Sequence, residues 1–405
     1  MSFKRVFENI DFLLLILIFL SITILPSIQI EGLPVVNVDD YLLPLVLLRI
    51  YKNKIFKPTL YVWLLVAFMG YILFTIFLNS RYNSVQDYFE IYKIGKFLLV
   101  VLFSQHVLKS HFEKFTWVIK SVFLYLLVFN LFHYFSLFNF NQTVMPYFSV
   151  SEIHLSTFGL DSLGNPSSKR MIGTMSNPNI NAIFFLFFYS FFFVNYGKSE
   201  GLKNRIWIYL SFLCILLTQS RTAFISLAFI TFFWFVFAKY DYKRIFIQLG
   251  AFVMLVFIAY LINIHSVIYY TNTNVNIMEN SSMMGRFETW QHLWEMILQK
   301  PVFGHGPNKN YFYDNQIYAE SEYVLYLWRY GVIGLFFYLS WILMPLRKSI
   351  LQNRENAHYL LFAIVILINS LTNSPLSNPS ILLLFAISIG YYFAFPVKIN
   401  QTDHV

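Results

Sequence analysis

Long apolar runs recur from one end of the chain to the other, and mostly short polar stretches separate them. A run of about 20 apolar residues can cross the ~30 Å hydrocarbon core of a bilayer as a helix, which satisfies its own backbone hydrogen bonds. The pattern therefore predicts an all-α, polytopic membrane protein with about 12 transmembrane helices, forming a single integral membrane domain over residues 1–405. The predicted spans, of which the short second and seventh are the least sharply defined, are 11–30, 35–50, 58–78, 88–108, 115–138, 178–197, 206–219, 221–238, 245–262, 323–345, 358–375 and 379–396.

Two long polar segments, 139–177 and 263–322, break this pattern. Within the second, the stretch from Met283 to Leu298 predicts an amphipathic helix lying on the membrane surface, with tryptophan at the interface. The apolar residues that fall at helical spacing there are Phe287, Trp290, Leu293, Trp294 and Ile297. Three turn formers follow between Pro301 and Gly306, which predicts a short turn near the membrane.

The positions of lysine and arginine predict the orientation. Lys4 and Arg5 precede the first span, and every second connection after it carries a basic cluster. Because cytoplasmic loops are enriched in Lys and Arg, both termini are predicted to be cytoplasmic and the two long loops extracytoplasmic. The chain is 58% hydrophobic, and its net charge of +9 lies largely in these cytoplasmic turns. That charge is therefore an insertion signal, and no nucleic-acid partner is expected.

Several classes of chemistry lack their motifs. Cys214 is the only cysteine, which excludes an intramolecular disulfide and a thiolate metal cluster and suggests a packed small side chain. No P-loop, GxGxxG, HExxH or GxSxG motif stands in a usable context, so nucleotide hydrolysis, dinucleotide chemistry and serine-hydrolase chemistry are unsupported. No clustered Asp-x-Asp occurs, which disfavours a metal-dependent nucleotide-sugar transferase, and neither a cofactor nor a metal is expected. The first apolar stretch lacks a small-residue cleavage site and is predicted to be retained as a span.

Basic residues outside the cytoplasmic turns are candidates for binding an anion. Arg221 stands at the predicted outer junction of the seventh and eighth spans, where it needs an anionic partner, a water-filled cavity or a headgroup to reach. Lys169 and Arg170 precede Asn177-Pro178-Asn179. These residues predict a helix start whose free N–H groups suit phosphate. A plain capped helix with solvated charges is the alternative.

The second long loop adds further candidates. Arg286 precedes Trp290 by one helical turn, and His305 could act as a base, a ligand or a structural residue. Glu320 and Glu322 precede the tenth span; on a helix they would point about 200° apart, so one of them would face a cavity. A carboxylate in that position could act as general base towards a sugar hydroxyl. Alternatively, both stabilise the helix N-terminus through its dipole.

The fourth apolar run contains Glu90, Lys93 and Lys96 at three-residue spacing. This spacing predicts an ion pair between Glu90 and Lys93. The group could line a polar pathway of the transporter type, and a slanted helix with snorkelling lysines explains it equally well.

Taken in order, these motifs resemble the O-antigen polymerase and ligase superfamily, the Wzy-like membrane glycosyltransferases, whose fold is GT-C-like. The resemblance covers mostly residues 170–340 and rests on Gly173, Asn177-Pro178-Asn179, Ala182, Ser220-Arg221, Arg286, Trp290, Pro301, Gly304, Gly306, Glu320-Ser321-Glu322-Tyr323-Val324, Gly331 and Gly334. In the ligase branch the loop ends in His-Asn, with a glycine eleven residues after the histidine. Here Glu320 takes the histidine position and Gly331 follows eleven residues later, which favours a polymerase.

The resemblance implies a metal-independent transfer of a glycan from undecaprenyl pyrophosphate to a sugar hydroxyl of another lipid-linked repeat unit. This reaction would build a surface polysaccharide, such as O-antigen, capsule or exopolysaccharide, at the outer face of the bacterial plasma membrane. Arg221 and Arg286 would hold the pyrophosphate and Glu320 would be the base. Guanidinium groups suit a diphosphate leaving group because they grip phosphate oxygens bidentately. The residues expected to contact substrate are Lys169, Arg170, Asn177, Asn179, His305, Glu322 and Tyr323.

Three alternatives stay open. A ligase would pass the glycan to a lipid or protein acceptor, a transporter or flippase would move lipid-linked sugars, and a structural partner would serve an export complex. Besides the bilayer and the lipid-linked oligosaccharide, a chain-length regulator and a flippase are the candidate partners.

Overall fold

A computed structural model describes residues 3–26, 37–79, 84–148, 170–197, 201–237, 242–262, 281–315, 317, 319–346 and 357–394. Helices make up most of these ranges, and no strand occurs within them. The main helices are α1 (Phe3–Thr23), α2 (Val38–Lys52), α3 (Leu60–Leu78), α4 (Phe89–Phe135), α5 (Pro178–Tyr196), α6 (Leu202–Leu217), α7 (Arg221–Phe237), α8 (Tyr242–Ile262), α9 (Ser281–Gln299), α10 (Lys309–Asp314), α11 (Glu322–Leu343), α12 (Ala357–Asn369) and α13 (Pro379–Ala394). Single helical turns lie at Val85–Tyr88, Leu137–Asn139, Phe140–Thr143, Met145–Tyr147, Gly173–Met175 and Pro375–Ser377.

Four helical stretches in the described ranges are long and apolar enough to cross a membrane: Leu60–Leu78, Val85–Phe135, Pro178–Tyr196 and Glu322–Leu343. Several shorter apolar helices accompany them. The predicted class, a helical membrane protein, is confirmed. The predicted number of about 12 transmembrane helices stays a prediction.

Helix α4 contains two of the predicted spans, 88–108 and 115–138, without a loop between them. Its backbone leaves the helical region at His111 (φ −127°, ψ 23°). This break divides it into arms of about 33–36 Å at 1.5 Å per residue, and each arm is long enough to cross a bilayer. The expected connection around Lys109 and Lys114 is therefore a kink within one helix.

The chain divides into two compact units. Unit 1 contains residues 1–44, 107–275 and 354–368. Its most buried helix is α5, in which every residue from Asn181 to Phe193 is buried. A helix that is apolar on all sides packs on all sides, and α5 contacts both α6 and α7, while α6 contacts α8.

Unit 2 contains residues 45–106, 276–353 and 369–405. In it α11 packs against both α3 and α9. The predicted amphipathic helix is confirmed as α9, and one of its strips, which contains Leu293 and Ile297, joins a core cluster with Trp328 of α11. The side chains of Phe287 and Trp294 point away from this core and are exposed.

Candidate functional site

In unit 2 the structure brings together two of the three predicted catalytic residues. The Nε of Arg286, on α9, donates to Oε2 of Glu320, and their side chains are 27% and 42% exposed. Trp290, one turn after Arg286, donates its indole N–H to the carbonyl of Ala319. This hydrogen bond fixes the main chain of Ala319, the residue before Glu320. The backbone of Glu320 itself has a positive φ of 46°. Few residues other than glycine adopt that conformation.

Glu322 lies in different surroundings from Glu320. It is the first residue of α11 and is fully buried. Its carboxylate accepts hydrogen bonds from the Leu376 N–H at 2.9 Å, the Ser377 hydroxyl at 3.1 Å and the Tyr338 hydroxyl at 3.2 Å. The prediction assumed that Glu320 and Glu322 share one helix. Because α11 begins only at Glu322, Glu320 lies outside it and the expected angle of about 200° between the two side chains does not apply. Glu322 ties the start of α11 to the segment before α13.

Tyr323, the next residue, is partly buried. Its ring packs edge-on against that of Tyr338, with 5.9 Å between the ring centroids. Substrate contacts of Glu322 and Tyr323 stay predictions.

The turn at 301–306 docks its main chain onto a break in α11. Gly331, inside α11, has φ 63° and ψ −165°, so the predicted span 323–345 is not one continuous helix. The main-chain hydrogen bonds across this junction run from His305 N to Trp328 O at 2.9 Å, from Gly306 N to Arg329 O at 2.8 Å and from Val332 N to Pro301 O at 2.9 Å. The turn and the broken part of α11 thus pair each other's backbone N–H and C=O groups, and such groups need a hydrogen-bond partner when they lie away from water.

Glycine is required on both sides of this junction. A Cβ on Gly331 would lie 2.2 Å from the carbonyl oxygen of Val302, and a Cβ on Gly304 would lie 2.5 Å from the backbone of Arg329. Both glycines also have positive φ. The close approach of two backbones is thus the physical reason for the glycines at these motif positions.

His305 is held within the same junction. Its ring stacks on Trp328, with 5.0 Å between the ring centroids, and its Nε2 lies 3.0 Å from the carbonyl oxygen of Met296. Burial lowers the pKa of His305 below its usual value; the bond to Met296 opposes this shift, and the nearby charge of Lys300 adds a smaller lowering. These contacts give the ring a packing role, and its predicted contact with substrate stays a prediction.

In unit 1 the predicted helix start at Asn-Pro-Asn is confirmed. Asn177 is the N-cap of α5, and its side-chain oxygen accepts from the N–H groups of Asn179 at 2.9 Å and Ile180 at 3.2 Å. Pro178 occupies the first helical position, which suits its fixed φ. The cap therefore occupies two of the N–H groups that were candidates for binding phosphate.

Arg170 links that helix start to the turn before α7. Its guanidinium donates to the Asn179 side-chain oxygen at 3.1 Å and to the carbonyls of Thr218 at 3.1 Å and Gln219 at 3.3 Å. Arg221, two residues further on, is the first residue of α7 and is exposed. Arg170, Asn179 and the Arg221 turn are thus brought together within unit 1, whereas Arg286 belongs to unit 2. Lys169 lies outside the described residues.

An apolar cavity of about 1010 Å³ lies among α6, α7 and α8 of unit 1. Two of the lining residues lie close to Arg221 in the chain: Leu216 is near the end of α6, and Phe224 is one helical turn after Arg221 in α7. The cavity is lined by Phe212, Leu216, Phe224, Leu227, Ala228, Thr231, Phe232, Phe235, Val236, Tyr242, Ile245, Leu249, Phe252 and Val256.

One cluster of charges was only partly predicted. The expected ion pair between Glu90 and Lys93 is confirmed at 3.0 Å. Two further cations contact the same carboxylate, Lys309 at 3.0 Å and Arg329 at 3.7 Å. The sequence contained a signal for each, since Arg329 is the only charged residue of the predicted span 323–345 and Lys309 is the only Lys or Arg between 301 and 322.

In the ranges that the structure describes, no group of three or more His, Cys, Asp or Glu side chains is arranged to hold a metal ion. Cys214 is buried.

Residues 206–339, about a third of the chain, match the family described as O-antigen ligase. No match was found among curated proteins. The family match confirms the resemblance to the O-antigen polymerase and ligase superfamily. The matched segment contains Arg221, Arg286 and Glu320.

Proposed function

We propose that this membrane protein of the O-antigen polymerase and ligase superfamily transfers a glycan from a polyprenyl diphosphate carrier to a sugar hydroxyl of another lipid-linked repeat unit. The observation that carries the proposal is the contact between Arg286 and Glu320 within the matched segment. It joins a group suited to a phosphate leaving group with a group suited to accept a proton.

The reaction requires both groups. The bond between the anomeric carbon and the diphosphate oxygen breaks, the acceptor oxygen bonds to that carbon, and the acceptor hydroxyl loses its proton. Arg286 would hold the diphosphate as it gains charge, because a guanidinium group grips phosphate oxygens bidentately. Glu320 would accept the proton. Without substrate the two side chains pair with each other, and the arriving diphosphate competes with Glu320 for Arg286.

Unit 1 supplies features that suit the carrier lipid. An amphiphile with an anionic head and a branched apolar tail needs a cation next to an apolar cavity. Arg221 and the cavity between α6, α7 and α8 offer that combination. Arg170, fixed between Asn179 and the turn before Arg221, would hold this cationic region in place.

Polymerase and ligase differ in the acceptor. Glu320, at the position where the ligase branch has histidine, favours the polymerase. The second candidate is the ligase reaction, which the description of the matching family supports. In cells, deletion of a polymerase would leave single-repeat glycan on the final acceptor, whereas deletion of a ligase would cause lipid-linked polymer to accumulate.

The direct test incubates purified protein with its lipid-linked repeat unit and follows a ladder of products on a gel. We expect Arg286→Ala and Glu320→Gln each to lower the rate by about a hundredfold or more, because each removes a group that acts in the transition state. Glu320→Asp should retain part of the activity.

Glu288→Gln is the matched control, because Glu288 lies on α9 near Arg286 and is exposed. It should form the ladder at the normal rate. An unchanged rate in Glu320→Gln would exclude proton abstraction by Glu320, and normal polymer length in Arg286→Ala would exclude the phosphate contact.

A further inference from the structure

The cluster around Glu90 contains more positive than negative charge. Three cations, Lys93, Lys309 and Arg329, lie within 4.0 Å of one carboxylate. Glu90 is buried, and the side chains of the cations are only 12–24% exposed. No second carboxylate in the described ranges lies within ion-pair distance of these three cations.

A structural ion pair of this kind would be close to neutral, because unpaired charge away from water is costly. Here the directly paired groups are three cations and one carboxylate, an excess of two positive charges in contact. Burial lowers the pKa of Lys309, and the charges of Lys93 and Arg329 act in the same direction, although Glu90 opposes them. The Nε of Arg329 is buried and has no hydrogen-bond partner among the described residues.

Two further buried carboxylates interact with the cluster, and both accept hydrogen bonds from other groups. Asp87 accepts the N–H groups of Ser84 at 2.7 Å and Lys309 at 2.9 Å. Glu322, which lies within electrostatic range of Lys93, has the three donors described above. Neither of them neutralises the cluster by direct contact.

The cluster is fixed by its backbone. Asp87 holds the main chain of Lys309 at the start of α10. The carbonyl of Arg329 accepts the N–H of Gly306, so the docked turn positions that arginine within α11. A site whose cations are held in place before a ligand arrives loses little entropy on binding.

We propose that Lys93, Lys309 and Arg329 form a second diphosphate site, which binds the carrier diphosphate of the other lipid-linked substrate. The inference rests on the proposed function, because polymerisation joins two carrier-linked glycans and so requires two diphosphate groups at one face of the membrane. A diphosphate carries more than one negative charge, which matches the excess of two positive charges among the groups in direct contact. Glu90 keeps the three cations together in the absence of the ligand and is displaced in part when it binds.

The test is equilibrium binding of inorganic pyrophosphate and of farnesyl pyrophosphate to the purified full chain in detergent. We expect at least two sites, one that depends on Arg286 and one that depends on Lys93, Lys309 and Arg329. Lys309→Gln and Arg329→Gln should each weaken one of them about tenfold or more, which corresponds to the loss of one charge-assisted hydrogen bond. Glu90→Gln should act in the opposite direction and tighten that site about tenfold, because it removes the competing carboxylate.

Lys300→Gln is the control, because Lys300 lies in the same loop but donates to Asn79 instead; it should keep both sites. Thermal unfolding of each variant separates loss of binding from loss of folding. Unchanged pyrophosphate binding in a folded Lys309→Gln protein would overturn the proposal, as would weaker binding in a folded Glu90→Gln protein.

Two further arms identify the ligand and separate this inference from the proposed function. If phosphatidylglycerol competes with pyrophosphate as strongly as farnesyl pyrophosphate does, the cluster is a site for bilayer lipids and the carrier assignment fails. If Arg286→Gln keeps both sites while Lys309→Gln loses one, the phosphate contact of the proposed function fails and the cluster stands.

Discussion

Gly331 shows how much one residue can determine in this protein. Its positive φ breaks α11, and its missing side chain lets the carbonyl of Val302 approach. The break lies two residues after Arg329, whose carbonyl accepts a hydrogen bond from the docked turn. A change at Gly331 therefore alters both the helix and the cation next to it.

We expect Gly331→Ala to destabilise the protein by about 2 kcal/mol or more, since a left-handed backbone and a close contact act together. The measurement is thermal unfolding in detergent. Gly70→Ala is the matched control, because nothing lies within 4 Å of a Cβ at Gly70 in helix α3. Equal unfolding temperatures for the two variants would contradict this account of the break.

At the residue scale the sequence predicted local geometry well and distant contacts poorly. The cap by Asn177 and the pair of Glu90 with Lys93 involve residues two to three positions apart, so spacing alone predicts them. Lys309 and Arg329 are more than 200 positions from Glu90, and no periodic pattern relates them. A systematic search for charged residues inside apolar spans would have identified Arg329.

At the scale of elements, α9 shows what periodicity can and cannot determine. The spacing of its aromatic and apolar residues predicted a helix, and the structure has one. The spacing could not predict that Leu293 and Ile297 pack on α11 while Phe287 and Trp294 stay exposed. Which strip of α9 is buried depends on the shape of the neighbouring helix. The exposed strip is suited to the interface of a bilayer.

The cavity among α6, α7 and α8 leads to a prediction about the lipid. Ala228 lines it, and Ala228→Trp would fill part of its volume. We expect this variant to raise the KM for substrates on a long polyprenyl chain several-fold, with little effect on substrates carrying a short prenyl chain. The comparison measures ladder formation with both carriers.

The control for this substitution is Phe229→Trp, which adds bulk to the next residue of α7. Phe229 is exposed and is not part of the cavity lining. If both variants behave alike with both carriers, the cavity does not hold the tail.

For the whole molecule, composition and hydropathy sufficed to predict the helical membrane class. They did not predict that two expected spans would join in α4, because the polar stretch 104–114 is typical of a loop, whereas the structure has a kink at His111 within one helix. The division into two compact units also has no sequence signal, because each unit combines segments from distant parts of the chain.

Orientation stays a prediction and can be measured directly. We expect a membrane-impermeant maleimide to label Glu288→Cys in intact cells and to label Lys243→Cys only after permeabilisation. Both positions are exposed, and the single native cysteine is buried, which keeps background labelling low. Labelling of Lys243→Cys from outside would contradict the predicted topology and the proposed extracytoplasmic site.

The junction between the turn at 301–306 and the break at Gly331 also constrains biogenesis. The ribosome makes the turn before it makes residues 328–332. The N–H groups of His305 and Gly306 therefore lack their acceptors until Trp328 and Arg329 have been synthesised. The part of α11 before Gly331 in turn enters the bilayer with carbonyls at Trp328 and Arg329 that this turn satisfies. The turn and α11 must therefore leave the insertion machinery as one assembly step. A deletion between 310 and 318, which spares Lys309 and Glu320, would change their register and is expected to stall maturation.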